Sequence, residues 1–85
     1  LDIEFEQNKR EDKKYKIGLL ETFLPEHKEI TKSDSTDGEK FFFEDGSWIL
    51  VRLSGTEPMF RVYIETNSIE DLVELKELIS EHFKN

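Results

Sequence analysis

The chain has 85 residues, no cysteine, 12 basic and 20 acidic side chains, and a formal charge of −8. This length fits one domain with a small core, and the lack of cysteine excludes disulfides and thiolate metal sites. The acidic balance argues against nucleic acid and membranes as partners. The polar start predicts no secretory signal, and the chain is expected to be cytoplasmic. Because it begins at Leu1, it is also expected to be a piece of a longer protein.

The first part of the chain predicts a strand and a helix. Residues 1–7 alternate apolar and acidic side chains, which is the period of a half-buried strand. Residues 8–14 are charged and predict a turn, with Asp12 as the N-cap of the following helix. Pro25 is expected to end this helix. Its predicted apolar stripe consists of Tyr15, Leu19, Leu20, Phe23 and Leu24.

Four strands are predicted to follow. Residues 28–33 form a weak strand, residues 34–38 a turn, and residues 39–44 a short strand. Residues 47–53 are apolar on both faces, which favours a central place in a sheet. Residues 59–66 alternate again, with the apolar side chains on one face. The Asp-Gly pair before the central strand indicates a tight hairpin.

The chain ends in a second predicted helix, in which Ser68 followed by Asp71 resembles a capping box. The order strand, helix, four strands, helix predicts a single α+β domain over residues 1–85. Two helices cover one face of a mostly antiparallel sheet in this prediction. The predicted apolar face of the last helix consists of Ile69, Leu72, Val73, Leu75, Ile79 and Phe83.

The turn between the last two strands carries the candidate chemistry. Ser54 and Thr56 offer hydroxyl donors, and Gly55 permits a positive φ and the close approach of a ligand. Successive N–H groups in such a turn can form an anion-binding nest. Arg52 and Arg61 flank the turn with guanidinium groups suited to phosphate. The pattern therefore predicts an anion site.

A plainer interpretation stays open beside it, because serine, glycine and threonine are common in turns. Arg52 would then pair with Glu65 across the strands. In the anion-site interpretation Pro58 holds Glu57 extended and stiffens the exit of the turn. The turn leads into a strand and lacks the following lysine, so it is not a P-loop.

Residues 45–65 closely resemble the signature of the C-terminal domain of the α-D-phosphohexomutase superfamily, the phosphoglucomutases and phosphomannomutases. The pattern is R-x-S-G-T-E-P-x-x-R-x-Y-x-E. The resemblance implies a TATA-binding-protein-like fold with the order β-α-β-β-β-β-α, the order that the periodicity predicts. The matched positions are Arg52, Ser54, Gly55, Thr56, Glu57, Pro58, Arg61, Tyr63 and Glu65.

The resemblance also implies a function. The parent would be an isomerase of carbohydrate metabolism, and this domain would bind the phosphate of a hexose phosphate that is not being transferred. The implied partners are the hexose phosphate and the three other domains of the parent. Glu57 and Pro58 would shape the loop. The implied phosphate-binding residues are Arg52, Ser54, Gly55 and Thr56, with Arg61 as a second cation.

Catalysis would lie elsewhere in the parent. The resemblance implies a phosphoserine relay and a Mg²⁺ ion in the first three domains. We therefore expect no catalytic residue, metal ligand or cofactor in this chain, and no activity from the chain alone. Asp37-Gly38 and Asp45-Gly46 are interpreted as turns, and His27 and His82 as solvated or capping residues.

The alternative function is a stand-alone, non-catalytic module that binds a phosphosugar or a protein partner. The residues upstream of Leu1 would discriminate, since a serine loop and a metal loop there favour the enzyme. Glucose, mannose and aminosugar phosphates all stay open, because the loop that reads the sugar belongs to another domain of the family. Trp48 and the aromatic run 41–43 are interpreted as core or as an inter-domain face.

Overall fold

The computed structural model describes residues 2–84, in which five strands form one antiparallel sheet. This confirms the predicted α+β class, and the elements follow the predicted order except that the first helix is divided into two at Leu19. Leu1, predicted in the first strand, lies outside the described residues. The strands are β1 (Asp2–Glu4), β2 (Ile30–Asp34), β3 (Glu39–Phe43), β4 (Trp48–Leu53) and β5 (Met59–Glu65), and the helices are α1 (Arg10–Gly18), α2 (Leu20–Phe23) and α3 (Ile69–Phe83).

The alternation of side chains along the strands places the core on one face of the sheet. Val51 of β4 lies opposite Val62 of β5, and Leu53 lies opposite Phe60. The helices cover this face. Burying one valine, leucine, isoleucine or phenylalanine side chain completely stabilises the fold by about 1.5–3 kcal/mol. The spatial order of the strands is β1-β5-β4-β3-β2, so β4 is the central strand, as predicted. The buried core consists of Leu20, Leu24, Phe41, Phe43, Ile49, Val51, Phe60, Val62, Leu75, Ile79 and Phe83.

The first helix begins earlier than the sequence predicts. The stretch expected as a turn contains a 3₁₀ turn, Gln7–Lys9, and the start of α1 at Arg10. Asp12 therefore lies in the first helical turn and is not the N-cap. Lysine, arginine and glutamate are good helix formers, and an acidic residue in the first turn suits the helix dipole.

The buried faces of the helices also differ from the predicted stripes. Tyr15 is 67% exposed and Leu19 37% exposed, whereas Leu20 is fully buried. In α3, Ile69 is 77% exposed and Val73 49% exposed. Period alone leaves open which part of a broad apolar face meets the sheet, and the docking of the helix decides it.

Pro25 lies in a 3₁₀ turn, Leu24–Glu26, that follows α2. Leu24 keeps α-helical backbone angles, so proline does not push this residue out of the α region as expected. In α3, the backbone N–H of Asp71 donates to Ser68 Oγ at 3.1 Å, which confirms the predicted N-cap. Within the described residues, no helix has the length and apolar character needed to cross a membrane.

The predicted hairpin at Asp45-Gly46 is present between β3 and β4. Gly46 has a φ of 88°, which favours glycine, and its N–H donates to the carbonyl of Phe43. The Asp45 carboxylate accepts the backbone N–H and the hydroxyl of Ser47 and pairs with Lys28 at 2.8 Å. These contacts pin the turn, as its interpretation as a structural hairpin predicts.

Candidate functional site

The segment 54–58 joins β4 to β5 in a tight loop. The backbone N–H of Ser54 donates to the carbonyl of Met59 at 3.0 Å, which closes the loop at the sheet. Ser54 Oγ accepts the backbone N–H groups of Thr56 at 3.3 Å and Glu57 at 3.1 Å. These two N–H groups are therefore directed at the serine oxygen, whereas the sequence interpretation directed them at an external anion. The serine O–H remains able to donate.

The backbone conformation of this loop does not require a glycine at position 55. Among the described residues, the glycines with positive φ are Gly38 and Gly46, so Gly55 does not use the freedom that the sequence interpretation allowed it. Apart from its two chain neighbours, no described residue has an atom within 4 Å of a Cβ added to Gly55. In this chain, the space above Gly55 is open.

The two predicted arginines lie side by side at the loop. Arg52 of β4 and Arg61 of β5 are directly opposite in the strand register, on the face turned away from the helices. Together with the loop they line a cavity of about 300 Å³. The structure thus brings all five predicted binding residues together. The lining residues are Arg52, Leu53, Ser54, Gly55, Thr56 and Arg61.

The two arginines differ in their surroundings. Arg61 Nε lies 3.9 Å from the Asp2 carboxylate, and the side chain of Tyr63, followed by Asp2, raises the pKa of Arg61. The side chain of Arg52 has no hydrogen-bond or ion-pair partner within residues 2–84. Like charges that face each other across two strands repel, so the pair favours an anion between them.

The pairing of Arg52 with Glu65, which the plainer interpretation expects, does not form. Glu65 lies opposite Trp48, at the end of the β4–β5 pair that is farther from the loop, whereas Arg52 lies next to the loop. Its Oε2 accepts the indole N–H of Trp48 at 2.9 Å. Lys40 lies over the same indole ring, 4.3 Å from its centroid. Trp48 therefore belongs to a surface cluster on the open face of the sheet.

The rear of the loop is held by the N-terminal segment. Arg10 donates to the carbonyls of Ser54 at 2.9 Å and Glu57 at 2.7 Å. The backbone N–H of Phe5 donates to the carbonyl of Pro58 at 2.9 Å. Glu57 and Pro58 thus offer backbone acceptors and do not line the cavity. Sequence reasoning missed Arg10, because nothing distinguishes it from the charged residues around it.

The other candidate residues have structural contacts. His82 Nε2 is 2.7 Å from the carbonyl of Lys16, and its ring stacks on Phe23 with centroids 4.5 Å apart. His82 of α3 therefore contacts a carbonyl in the last turn of α1 and joins the two helices. Over the described range 2–84, the acidic and histidine side chains form no group of three that could hold a metal ion.

Comparison with known proteins gives a family match over most of the chain. The profile of the family described as "Phosphoglucomutase/phosphomannomutase, C-terminal domain" matches residues 6–82. This range includes the whole sheet except β1, and it includes the loop and both arginines. The match therefore covers the site as well as the fold that carries it.

Individual relatives agree with the family match. A phosphoglucomutase/phosphomannomutase of Thermococcus kodakarensis is 53% identical over 47 residues, which are 55% of this chain and 10% of the relative. A probable phosphoglucosamine mutase of Methanosphaera stadtmanae is 35% identical over 65 residues, 76% of this chain and 14% of the relative. The chain thus spans between a tenth and a seventh of the length of these relatives.

Proposed function

Because this chain belongs to the phosphoglucomutase/phosphomannomutase C-terminal domain family, we propose that its β4–β5 loop binds the phosphate of a hexose phosphate. The phosphate it holds is the one that is not being transferred. The domain serves a mutase whose remaining parts carry out the transfer. The chain on its own binds and does not catalyse.

One observation carries this proposal. Arg52 and Arg61 are directly opposite on β4 and β5 and both line the cavity, and Arg52 has no acidic partner within residues 2–84. A protein gains nothing in stability from two adjacent guanidinium groups. A phosphate between them would remove the repulsion and accept hydrogen bonds from both forks.

The loop supplies the remaining donors. Ser54, Gly55 and Thr56 line the same cavity, and they carry two hydroxyls and the N–H of Gly55 as donors. Phosphate oxygens accept hydrogen bonds, so a set of hydroxyl, N–H and guanidinium donors is matched to them. Among residues 2–84, the cavity lining includes no carboxylate, histidine or thiol that could act as nucleophile or base. This donor set suits binding and orientation.

Binding a remote phosphate has a catalytic use. Contacts to a part of the substrate that does not react can position the reacting group and stabilise the transition state. The relatives are named as phosphoglucomutase/phosphomannomutase and phosphoglucosamine mutase, names that refer to phosphorylated hexoses. A hexose phosphate is therefore the ligand class that we propose for this chain.

The test is a titration of the chain with glucose 1-phosphate, followed by the amide NMR signals. We expect saturable, millimolar shifts at Ser54, Gly55 and Thr56, and none with glucose. Arg52→Met should abolish the shifts, and Lys40→Met, which removes a cation of the same sheet face outside the cavity, should keep them. Signals of residues 54–56 that stay unmoved in the wild type would contradict the proposal.

A further inference from the structure

We propose that Arg10 is a positioning residue for the phosphate site: its guanidinium clamps the rear of the β4–β5 loop so that the Gly55 N–H faces the bound anion. This inference rests on the proposed function. It concerns a residue 44 positions before the loop in the sequence, in a helix that contributes nothing to the cavity lining.

The clamp is bidentate. Arg10 is the first residue of α1, and its two terminal nitrogens donate to two different carbonyls. The bond to Ser54 O is 2.9 Å long and the bond to Glu57 O is 2.7 Å long. These carbonyls stand at the two ends of the turn. A guanidinium is planar and permanently charged, so it fixes the spacing of both acceptors at once.

Because the peptide group is planar, the contact of Arg10 with the Ser54 carbonyl also sets the direction of the Gly55 N–H. In a trans peptide the C=O and the N–H of the same bond point in opposite directions. When Arg10 binds the carbonyl of Ser54, the N–H of Gly55 is therefore directed away from Arg10. Gly55 lines the cavity, and Arg10 does not. The Gly55 N–H has no partner within residues 2–84 and is free to donate to a phosphate oxygen.

The other contacts of the loop do not replace the clamp. Ser54 Oγ fixes the N–H groups of Thr56 and Glu57, and the N–H of Phe5 fixes the carbonyl of Pro58. The carbonyl of Glu57 also accepts the N–H of Met59 at 2.8 Å. The carbonyl of Ser54 has only Arg10 as its partner among the described residues. Without Arg10, the peptide between Ser54 and Gly55 loses the contact that orients it.

The test titrates inorganic phosphate into the wild-type chain and three variants, with the amide shifts as the readout. Arg10→Met should weaken binding about tenfold and reduce the Gly55 shift most. Arg10→Lys should resemble Arg10→Met, because an ammonium cannot hold both carbonyls. Lys9→Met, which removes the same charge one position earlier, should bind like the wild type.

Several outcomes would overturn the inference. If Arg10→Lys binds as tightly as the wild type, the role of Arg10 is only electrostatic. If Arg10→Met lowers stability in urea but the folded fraction binds phosphate normally, its role is only structural. If wild-type residues 54–56 do not respond to phosphate, the proposed function fails. In that case the amide signal of Gly55 in Arg10→Met, measured without phosphate, tests whether Arg10 orients the loop. A signal unchanged from the wild type would refute that role as well.

Discussion

Arg52 and Arg61 lie directly opposite each other on β4 and β5, and of these two only Arg61 has an acidic neighbour within residues 2–84. A hairpin that served the fold alone would gain by replacing one of these arginines with an acidic or neutral residue. The stability of the domain therefore does not explain the unpaired Arg52 side chain. This side chain marks the face of the sheet at which we expect the ligand.

Arg52→Met should leave the free energy of unfolding unchanged or slightly higher in the absence of phosphate, because it relieves the repulsion with Arg61. Urea unfolding measures this. Added phosphate should stabilise the wild type and not the variant, since a ligand that binds only the folded state raises its stability. A clear loss of stability in phosphate-free buffer would mean that Arg52 has a structural role.

Gly55→Ala and Gly38→Ala distinguish a glycine needed for phosphate binding from one needed for stability. Apart from its two chain neighbours, no described residue has an atom within 4 Å of a methyl added at Gly55, so stability should change little while phosphate binding is lost. Gly38 has a φ of +138°, and its added Cβ would lie 2.6 Å from the carbonyl oxygen of Val51. Gly38→Ala should therefore cost about 1–3 kcal/mol. Thermal unfolding and phosphate titration of both variants check this, and normal binding by Gly55→Ala would contradict it.

Leu20→Ala and Leu19→Ala test which face of the first helical segment packs on the sheet. Leu20 is completely buried and belongs to the core cluster, so its truncation should cost about 2–5 kcal/mol. Leu19 is 37% exposed, and its truncation should cost much less. Urea unfolding of the two variants gives the comparison. Equal losses would place Leu19 in the core as well.

Asp45 should make stability depend on pH in the acidic range. Its bonds with Lys28, and then with Ser47, hold the pKa of Asp45 well below its ordinary value of 3.8. The unfolded chain therefore binds the proton more readily. The stabilisation is complete above pH 3.8 and is lost as the pH falls below it.

Asp45→Asn should accordingly be less stable than the wild type at pH 7 and lose less stability on acidification. Unfolding curves measured from pH 7 to pH 3 test this. Asp37→Asn removes the same charge from another exposed turn and is the control. An acid dependence of Asp45→Asn that equals that of the wild type would show that the contacts of Asp45 do not contribute.

The strands and turns could be predicted from the sequence because their signals are local. In β5, successive side chains point to opposite faces, so the alternation around Val62 fixes which residues are buried. The Asp-Gly pair and Ser68 act through their own backbone neighbours. The loop motif likewise names the cavity residues, since they are adjacent in sequence or on paired strands.

The buried face of each helix could not be predicted from the sequence in this way. Tyr15 and Leu19 fit a helical stripe as well as Leu20 and Leu24 do, and the choice between them depends on how the helix docks. Asp12 fits an N-cap, but the helix had already begun at Arg10. Such outcomes depend on packing against distant parts of the chain.

The sequence by itself determined the fold class, the strand order along the chain and the residues around the candidate site, because periodicity and turn chemistry are properties of neighbouring residues. The tertiary structure alone decided that Arg52 faces Arg61 without a carboxylate, that Glu65 binds Trp48, and that Arg10 holds the loop from behind. Each of these contacts joins residues that are separated along the chain, and only the folded sheet and its docked helix bring them within reach.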